Sequence, residues 1–348
     1  MASIIIFFII FAVNNIQPVI DLAGGDDPDE VYIHEARYHP HSDDMSIGPQ
    51  EYVVDFDECL YVHDIKGPDI NRILKFDSTG KFLFVIDSLS VPSLDRLWFG
   101  PMTIDPKTND LIIAGSGIPK GTYEDPLNVP YNKIPCYMFR FSESGQLLKM
   151  IPVERIPIGF LMYDYDGKFY GKYVDGGAVF DQNLQLVSKI PKMKSRGHGH
   201  SQWSHWVGMG SASQYTPDDS GTGKFLIEYK NEETKKRLIL IFYDSPPRSF
   251  GGSIEGEDRY GNIYLRGSSY KISRINPEAK KVAVVCLLTI GIPGGVGDVG
   301  YDTYISPNGN LYKAALVRGV DGRLRYHIYR ITPDMFQEIE CEVEIREE

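Results

Sequence analysis

One strand-turn-strand pattern recurs along this chain of 348 residues. Its clearest copy extends from Tyr52 to Ile86 and contains two apolar strands on either side of an acidic turn, followed by a hairpin. The hairpin turn, Asp77-Ser-Thr-Gly80, ends in a glycine that can adopt positive φ. A unit of this kind cannot bury its apolar face alone, so its repetition predicts a fold built from packed, similar units.

Further copies begin near Met102, Met162, Gly256 and Thr303. One turn position is interpreted as equivalent in the five copies and is occupied by Asp57, Asp105, Asp166, Tyr260 and Asn308. The intervals between these residues are about 48, 61, 94 and 48 residues. The longest interval has room for one more unit, and the segments 224–229 and 238–243 are predicted to form its hairpin.

Six units of this size predict an all-β chain folded as a six-bladed β-propeller with four-stranded blades. The composition agrees, because 22 Tyr and 17 Phe favour strands while 34 Gly and 22 Pro supply the turns between them. We expect residues 31–348 to form this single domain. A closed ring needs its terminal edges paired, and the strand-like segments 31–37 and 338–345 are predicted to form the clasp between the N- and C-terminal strands.

The N-terminal segment predicts export. Residues 4–13 form an unbroken apolar run, IIIFFIIFAV, which has the length of a signal-peptide hydrophobic region and is too short to cross a bilayer. Residues 1–15 are therefore interpreted as that segment, residues 16–30 as a polar linker, and the protein as periplasmic or secreted. The alternative is a buried first strand, because no Lys or Arg precedes the run and its Ile and Phe residues are also strong strand formers.

Charge and cysteine spacing exclude several classes of function. The formal net charge is −11 and Lys and Arg nowhere form a long basic run, so nucleic acid is not expected as a partner. The four cysteines, Cys59, Cys136, Cys286 and Cys341, contain no C-x-x-C pair. They predict neither a zinc ribbon nor a disulfide framework, and are interpreted as small apolar residues on strands.

The pattern resembles the NHL-repeat propellers and related six-bladed propellers of bacterial extracytoplasmic proteins. The resemblance lies in Asp57-Glu-Cys-Leu-Tyr-Val-His-Asp64, in 71–83 (NRILKFDSTGKFL) and in Gly261-Asn-Ile-Tyr-Leu265. It covers roughly residues 31–345 and implies the fold only, since similar propellers act as lactonases, lyases, sugar-modifying enzymes or plain binding modules.

A segment rich in His and Trp, residues 197–206 (GHGHSQWSHW), is the first candidate site. In an extended chain His198 and His200 point the same way, as two ligands of a zinc ion would. His205 and the more distant His63, or Asp64, could complete such a metal site. Alternatively, one of the three clustered histidines acts as a general base, or Trp203 and Trp206 with Arg196 form a ligand-binding surface. The remaining interpretation is a glycine-rich loop whose His and Trp side chains only pack.

A second candidate metal site follows from the resemblance. Lactonase-like propellers hold a divalent cation such as calcium with oxygen ligands from several blades. The analogous residues here would be Glu255 or Glu257 with Asp302 and Asn308. The alternative is an acidic turn of ordinary kind.

No complete catalytic motif accompanies these features. We therefore expect an exported propeller that binds a protein or a small-molecule or carbohydrate ligand, without a transmembrane helix. The alternative is a metal-assisted enzyme, a lactonase-like hydrolase or a lyase, with its site at the mouth of the central channel. The two hypotheses differ in one requirement, because only the enzyme needs a bound metal ion.

Overall fold

A computed structural model describes residues 16–25, 27, 29–33, 48–49, 51–66, 70–155, 161–173, 176–191, 206–208, 214–217, 223–231, 234–243, 253–266, 270–293 and 303–347. These residues form six antiparallel sheets, which are the six blades of a β-propeller. The prediction of an all-β, six-bladed propeller is confirmed. Short 3-10 turns occur between strands at Ser88–Ser90, Pro126–Asn128, Tyr131–Lys133 and Pro333–Met335.

The first three blades each contain four consecutive strands. The first strand of the chain, β1 (Ile20–Ala23), belongs to the last blade. Blade 1 contains β2 (Glu51–Val54), β3 (Leu60–Lys66), β4 (Ile70–Phe76) and β5 (Phe82–Ile86). Blade 2 contains β6 (Leu94–Ile104), β7 (Leu111–Pro119), β8 (Cys136–Phe141) and β9 (Leu147–Val153). Blade 3 contains β10 (Leu161–Tyr163), β11 (Phe169–Tyr173), β12 (Gly176–Phe180) and β13 (Leu186–Pro191).

The last three blades depart from this plan. Blade 4 contains β14 (Trp206–Gly208), β15 (Gln214–Pro217), β16 (Gly223–Asn231) and β17 (Lys236–Phe242). Blade 5 contains β18 (Ser253–Glu257), β19 (Ile263–Arg266), β20 (Lys271–Asn276) and β21 (Lys281–Cys286). Blade 6 contains β22 (Thr303–Ile305), β23 (Leu311–Arg318) and β24 (Leu324–Ile331). Two C-terminal strands, β25 (Gln337–Ile339) and β26 (Glu342–Glu347), join blades 5 and 4. Four sheets therefore have four strands and two have five.

The antiparallel order gives the ring two distinct ends. In blades 1, 2, 3, 5 and 6 the inner strand is followed by a tight turn at one end, here called the turn end. From blades 1, 2, 3 and 5 the chain passes from the outer strand to the inner strand of the next blade at the opposite end, here called the connection end. Because the strands alternate in direction, the turn between the second and third strand of a blade also lies at the connection end.

The tight turns begin with a carboxylate that caps the backbone. The Asp55 carboxylate accepts N–H bonds from Asp57 and Cys59, both at less than 3 Å. Equivalent Asx-type turns begin at Asp105, Asp164 and Asp258, whereas Ser306 occupies this position in blade 6. This corrects one equivalence predicted from the sequence, because Asp105 corresponds to Asp55 and not to Asp57. The turn of blade 2 is one residue longer, which hid the register.

A tyrosine on the second strand of several blades contacts this capping residue. The Tyr170 hydroxyl donates to Asp164 at 2.7 Å, and the Tyr264 hydroxyl lies 3.1 Å from Asp258. In blade 6 the capping position is a serine, and Tyr312 instead donates to Glu58 from the turn of blade 1. A carboxylate of the neighbouring blade thus replaces the missing one.

The N-terminal strand closes the ring on blade 6, but it is not the predicted one. β1 pairs with β24, and the Asp21 carboxylate accepts hydrogen bonds from Arg325 and His327. β1 lies in the segment predicted to be a linker, residues 16–30. The prediction missed it because a four-residue strand next to Gly and Asp residues has too few alternating positions to be recognised. Of the predicted strand 31–37, Val31 makes a single bridge to Gly24, and residues 34–37 lie outside the described residues.

The C-terminal segment also completes a blade, although it does not contact the N-terminal strand as predicted. β26 pairs with β17 and takes the place of the outer strand of blade 4, while β25 adds a fifth strand to β21 of blade 5. Val343 of β26 is buried beside Leu238 and Leu240. Ring closure by N- and C-terminal strands is confirmed, but each terminus completes a different blade.

Two further expectations concern helices and cysteines. Within the described residues, no helix has the length and apolar character needed to cross a membrane. All four cysteines are free and half-buried, so the described structure contains no disulfide among them.

Candidate functional site

His63 is buried in the middle of β3, and through Asn71 it is connected to Phe99 of blade 2. Its Nε2 lies 3.2 Å from the Asn71 Oδ1. That oxygen also accepts the Phe99 N–H, which fixes the amide orientation and makes the His63 Nε2 the donor. Burial lowers the pKa of His63 to about 4, so the imidazole is neutral at physiological pH. Asp64, the alternative ligand, is instead paired with Arg72 at 3.0 Å.

Glu51 of β2 is the residue opposite His63 in the pairing of β2 with β3. Its carboxyl group lies in the interface between blades 1 and 2. Its Oε2 accepts the Met102 N–H. The Asn71 side chain accepts a hydrogen bond from the Phe99 N–H and donates one to the Phe99 carbonyl. These contacts satisfy backbone groups on both sides of a bulge in β6. Burial raises the pKa of Glu51 well above its usual value. Its Oε1 has no hydrogen-bond partner among the described residues.

The second predicted oxygen set is distributed along the ring. Glu255 is buried in the middle of β18, and Glu257 ends that strand. Asn308 lies at the turn end, where its amide nitrogen donates to the Phe56 carbonyl and to Glu58. Asp302 lies outside the described residues. Among the described residues, no group of three or more His, Cys, Asp or Glu side chains could hold a metal ion.

The predicted His and Trp segment falls almost entirely outside the described residues. Arg196, His198, His200, Trp203 and His205 are not described, and Trp206 is the first residue of β14. The neighbouring strands nevertheless show which elements the segment joins. It leads from β13, the outer strand of blade 3, to β14, an inner strand of blade 4. The segment is thus one of the inter-blade connections.

Tyr165 lies across the channel near the turn end. It follows the inner strand of blade 3, yet its hydroxyl lies 3.4 Å from the Glu257 carbonyl of blade 5. Its ring packs edge-on against Tyr163, with 5.6 Å between ring centroids. Burial raises the pKa of Tyr165 above its usual value, which keeps the hydroxyl protonated. A side chain that joins two non-adjacent blades must cross the channel between them.

A groove lies between blades 2 and 3. Its volume is about 180 Å³. Blade 2 contributes the end of β9 and the two residues after it, Glu154 and Arg155. Blade 3 contributes an apolar floor that includes Tyr173, Ala178 and Phe180. Leu184, Gln185, Leu186 and Lys189 form the remaining side.

Charged side chains border this apolar floor. The Arg155 guanidinium lies over the Tyr173 ring, 4.3 Å from its centroid, and the Tyr173 hydroxyl lies 3.5 Å from the Arg155 carbonyl. Lys189 pairs with Glu154 at 3.1 Å, and both side chains are more than half exposed. An exposed ion pair of this kind contributes little stability and is readily exchanged for another partner. Lys149 reaches the Asn183 carbonyl and joins the two blades nearby.

Sequence reasoning did not find this groove. Its residues come from four strands, β9, β11, β12 and β13, and from the segments next to them, and they are separated by up to 38 positions. The one available signal was Leu186-Val187 at the start of an outer strand, two consecutive apolar residues where alternation would place one polar residue.

Comparisons with known proteins give likeness of fold only. No protein-family model matches the chain, and no curated protein matches its sequence. Among solved structures, a WD40 domain from Neurospora crassa is 12% identical with a TM-score of 0.39, covering 95% of this chain and 99% of that one. A protein of unknown function from Dyadobacter fermentans is 10% identical with a TM-score of 0.35, covering 91% and 100%.

A gluconolactonase from Xanthomonas campestris is 14% identical with a TM-score of 0.28 and matches 52% of this chain. The chain spans 53% of the length of that structure. At these identities and TM-scores, none of the three likenesses bears on the activity of this chain.

Proposed function

We propose that this protein is an exported β-propeller of the NHL-like type that acts as a binding module, with the groove between blades 2 and 3 receiving its ligand. One observation carries this proposal. The groove combines an apolar floor with two exposed or stacked cations, Arg155 and Lys189, in a chain whose net charge is −11. A concave apolar surface with a few polar groups at its edge is the usual form of a binding site.

The groove indicates what the ligand contains. Its volume of about 180 Å³ lies below the range of roughly 300–1,000 Å³ typical of sites that enclose a drug-sized molecule. It is suited to a single apolar group, such as a ring or a branched side chain, and not to a whole sugar chain. The cations at its edge favour a negative charge next to that group. The proposed ligand class is therefore an apolar group that carries or adjoins an anion.

The proposal of export rests on residues 4–13, whose apolar run has the length of a signal-peptide hydrophobic region. The proposal also includes the ligand-binding surface predicted for Arg196, Trp203 and Trp206. Arg196 and Trp203 belong to the connection that follows β13, and Trp206 is the first residue of β14.

The alternative, a metal-assisted hydrolase or lyase, rests on His198, His200 and His205 and stays a prediction. His63 would have to bind the metal through its Nδ1, because its Nε2–H is donated to Asn71. The analogous oxygen set of Glu255, Glu257, Asp302 and Asn308 is likewise a prediction.

A small apolar anion tests the groove directly. The probe is 8-anilinonaphthalene-1-sulfonate, whose fluorescence rises in apolar surroundings. We expect the double variant Arg155→Ala and Lys189→Ala to weaken probe binding about tenfold, with the loss of two charge contacts. The matched control is Lys81→Ala, an exposed lysine of blade 1 that does not line the groove. Equal probe binding by all three proteins would overturn the proposal.

A further inference from the structure

The outer strand of blade 3 is an exposed sheet edge. Leu186 and Val187 of β13 are 50% and 60% exposed, and Ser188 and Lys189 are exposed too. In the described part of the chain, β13 pairs with β12 and has no strand on its other side. An exposed apolar edge strand is a template for pairing with another chain, and proteins usually cover or charge such edges.

Two other outer strands of the ring, β5 and β9, are less accessible. Most residues of β5 in blade 1 and of β9 in blade 2 are half-buried. Blade 4 is completed by β26, blade 5 carries the additional β25, and blade 6 is completed by β1. Of the outer strands that the structure describes, β13 is the one with two consecutive exposed apolar residues, Leu186 and Val187.

The chain itself shows what kind of strand its outer edges accept. Residues 338–345 alternate acidic residues with Ile, Cys or Val, and they supply most of β25 and β26. Val343 points into the core, whereas Glu338 lies outside and pairs with Lys281 of β21 at 2.7 Å. In both blades the added strand carries glutamates and buries apolar residues. In blade 5 it pairs with an outer strand that carries a lysine.

We propose that β13 binds an extended peptide that alternates acidic and apolar residues and adds to blade 3 as a fifth strand. The inference rests on the proposed function, because the same peptide would place an apolar side chain in the groove. Alternate side chains of an added strand point to the same face of the sheet. The apolar set would face the groove, and the positive charges of Lys189 and Arg155 at its edge would attract the acidic peptide. Backbone hydrogen bonds to β13 supply the affinity in this mode, and the groove supplies selectivity.

Backbone methylation of the peptide distinguishes strand addition from other modes of binding. The probe is a fluorescein-labelled peptide, Glu-Val-Glu-Ile-Glu-Val-Glu, titrated against the full chain by fluorescence anisotropy. Two versions carry N-methyl groups at the odd or at the even positions. An added strand donates alternate N–H groups to its neighbour. We expect one methylated version to lose at least tenfold in affinity and the other to keep its affinity.

Paired variants locate the site. Val187→Asp is expected to weaken peptide binding at least tenfold, because it places a charge on the exposed edge next to the acidic peptide. Leu83→Asp is the matched control, since Leu83 is 44% exposed on the outer strand of blade 1. Lys189→Glu should weaken binding and Lys81→Glu should not. Binding that is insensitive to Val187→Asp would place the peptide elsewhere and overturn the inference.

The outcomes separate this inference from the proposed function. If both methylated peptides bind as the unmodified one does, strand addition is wrong although the groove can still bind the peptide. If no peptide binds while the anionic dye still requires Arg155 and Lys189, the proposed function survives and the inference fails. If neither probe depends on the groove residues, both fail.

Discussion

The Glu58 carboxylate of blade 1 accepts a hydrogen bond from the Tyr312 hydroxyl of blade 6, with 2.5 Å between the two oxygens. The same carboxylate receives hydrogen bonds from Ser306, Asn308 and Asn310, all in the turn of blade 6. The first and last blades are therefore joined at the turn end by one side chain. At the edge of the ring, β1 joins the N-terminus to blade 6 by strand pairing.

Replacing this carboxylate should loosen the closure. Glu58→Gln keeps the size of the side chain but replaces one accepting oxygen with an NH₂ group that meets other donors. We expect the free energy of unfolding to fall by about 1.5–3 kcal/mol, as for other hydrogen bonds to a charged group. Urea titration of the variant measures it. Glu143→Gln, on an exposed turn of blade 2, is the control. Equal midpoints for the two variants would contradict the role of Glu58.

A double-mutant cycle tests whether Glu58 replaces the capping aspartate that blade 6 lacks. Ser306→Asp alone places a second carboxylate beside Glu58 and should destabilise the protein by about 1–3 kcal/mol. In the Glu58→Gln background the same substitution restores a single carboxylate and should cost much less. The coupling energy should then be favourable by about 1 kcal/mol or more in the double variant. Additive effects in urea titrations of the four proteins would show that the two positions do not share a role.

The buried imidazole of His63 should make stability fall in acid. Its pKa is about 4 in the folded state and near 6.5 in the unfolded state, so the unfolded chain binds more protons between these values. This contribution is complete above pH 6.5 and is lost as the pH falls toward 4. The shift corresponds to roughly 3 kcal/mol.

His63→Gln keeps a donor toward Asn71 but cannot titrate. Between pH 7 and pH 4 the wild-type protein should therefore lose about 3 kcal/mol more than this variant. Glu51 and Asp55, whose pKa values are raised by burial, act in the opposite direction but are present in both proteins. Chemical unfolding at several pH values gives the comparison. Parallel curves for the two proteins would mean that His63 is not buried as a neutral ring.

The C-terminal strand should be necessary for blade 4. Val343→Asp puts a charge into the core beside Leu238 and Leu240 and should cost about 3 kcal/mol or more. Ile345→Asp lies on the same strand two residues later, is 40% exposed, and should cost less than 1 kcal/mol. Melting temperatures of the two variants provide the measurement. A similar loss in both would indicate that β26 does not pack as described.

The metal hypothesis is decided by elemental analysis of protein purified without a histidine tag. The enzyme alternative requires a stoichiometric metal ion that is lost in His198→Ala or His200→Ala, together with a lower melting temperature after chelation. The binding-module proposal expects melting to be independent of chelator. A metal that is retained in both variants would remove the His and Trp segment as its ligand source.

Much of the blade architecture could be predicted from particular residues. The alternation in 60–66 and the Asp77 to Gly80 turn were sufficient to identify blade 1, and both are confirmed. The hairpin predicted at 224–229 and 238–243 corresponds to β16 and β17. The error of two residues at Asp105 arose because turn length changes between blades while the strand pattern does not.

The sequence by itself determined the class of fold, the number of blades and the positions of most strands, because strand periodicity and turn residues act over a few neighbouring positions. Tertiary structure alone decided which terminus completes which blade. It also decided that Glu58 accepts a hydrogen bond from Tyr312 and that β9 and β13 border a groove. These contacts include one between Asp21 and His327, which are 306 positions apart. Strand pairing uses backbone groups that every residue carries, so the partner of an edge strand leaves almost no local pattern.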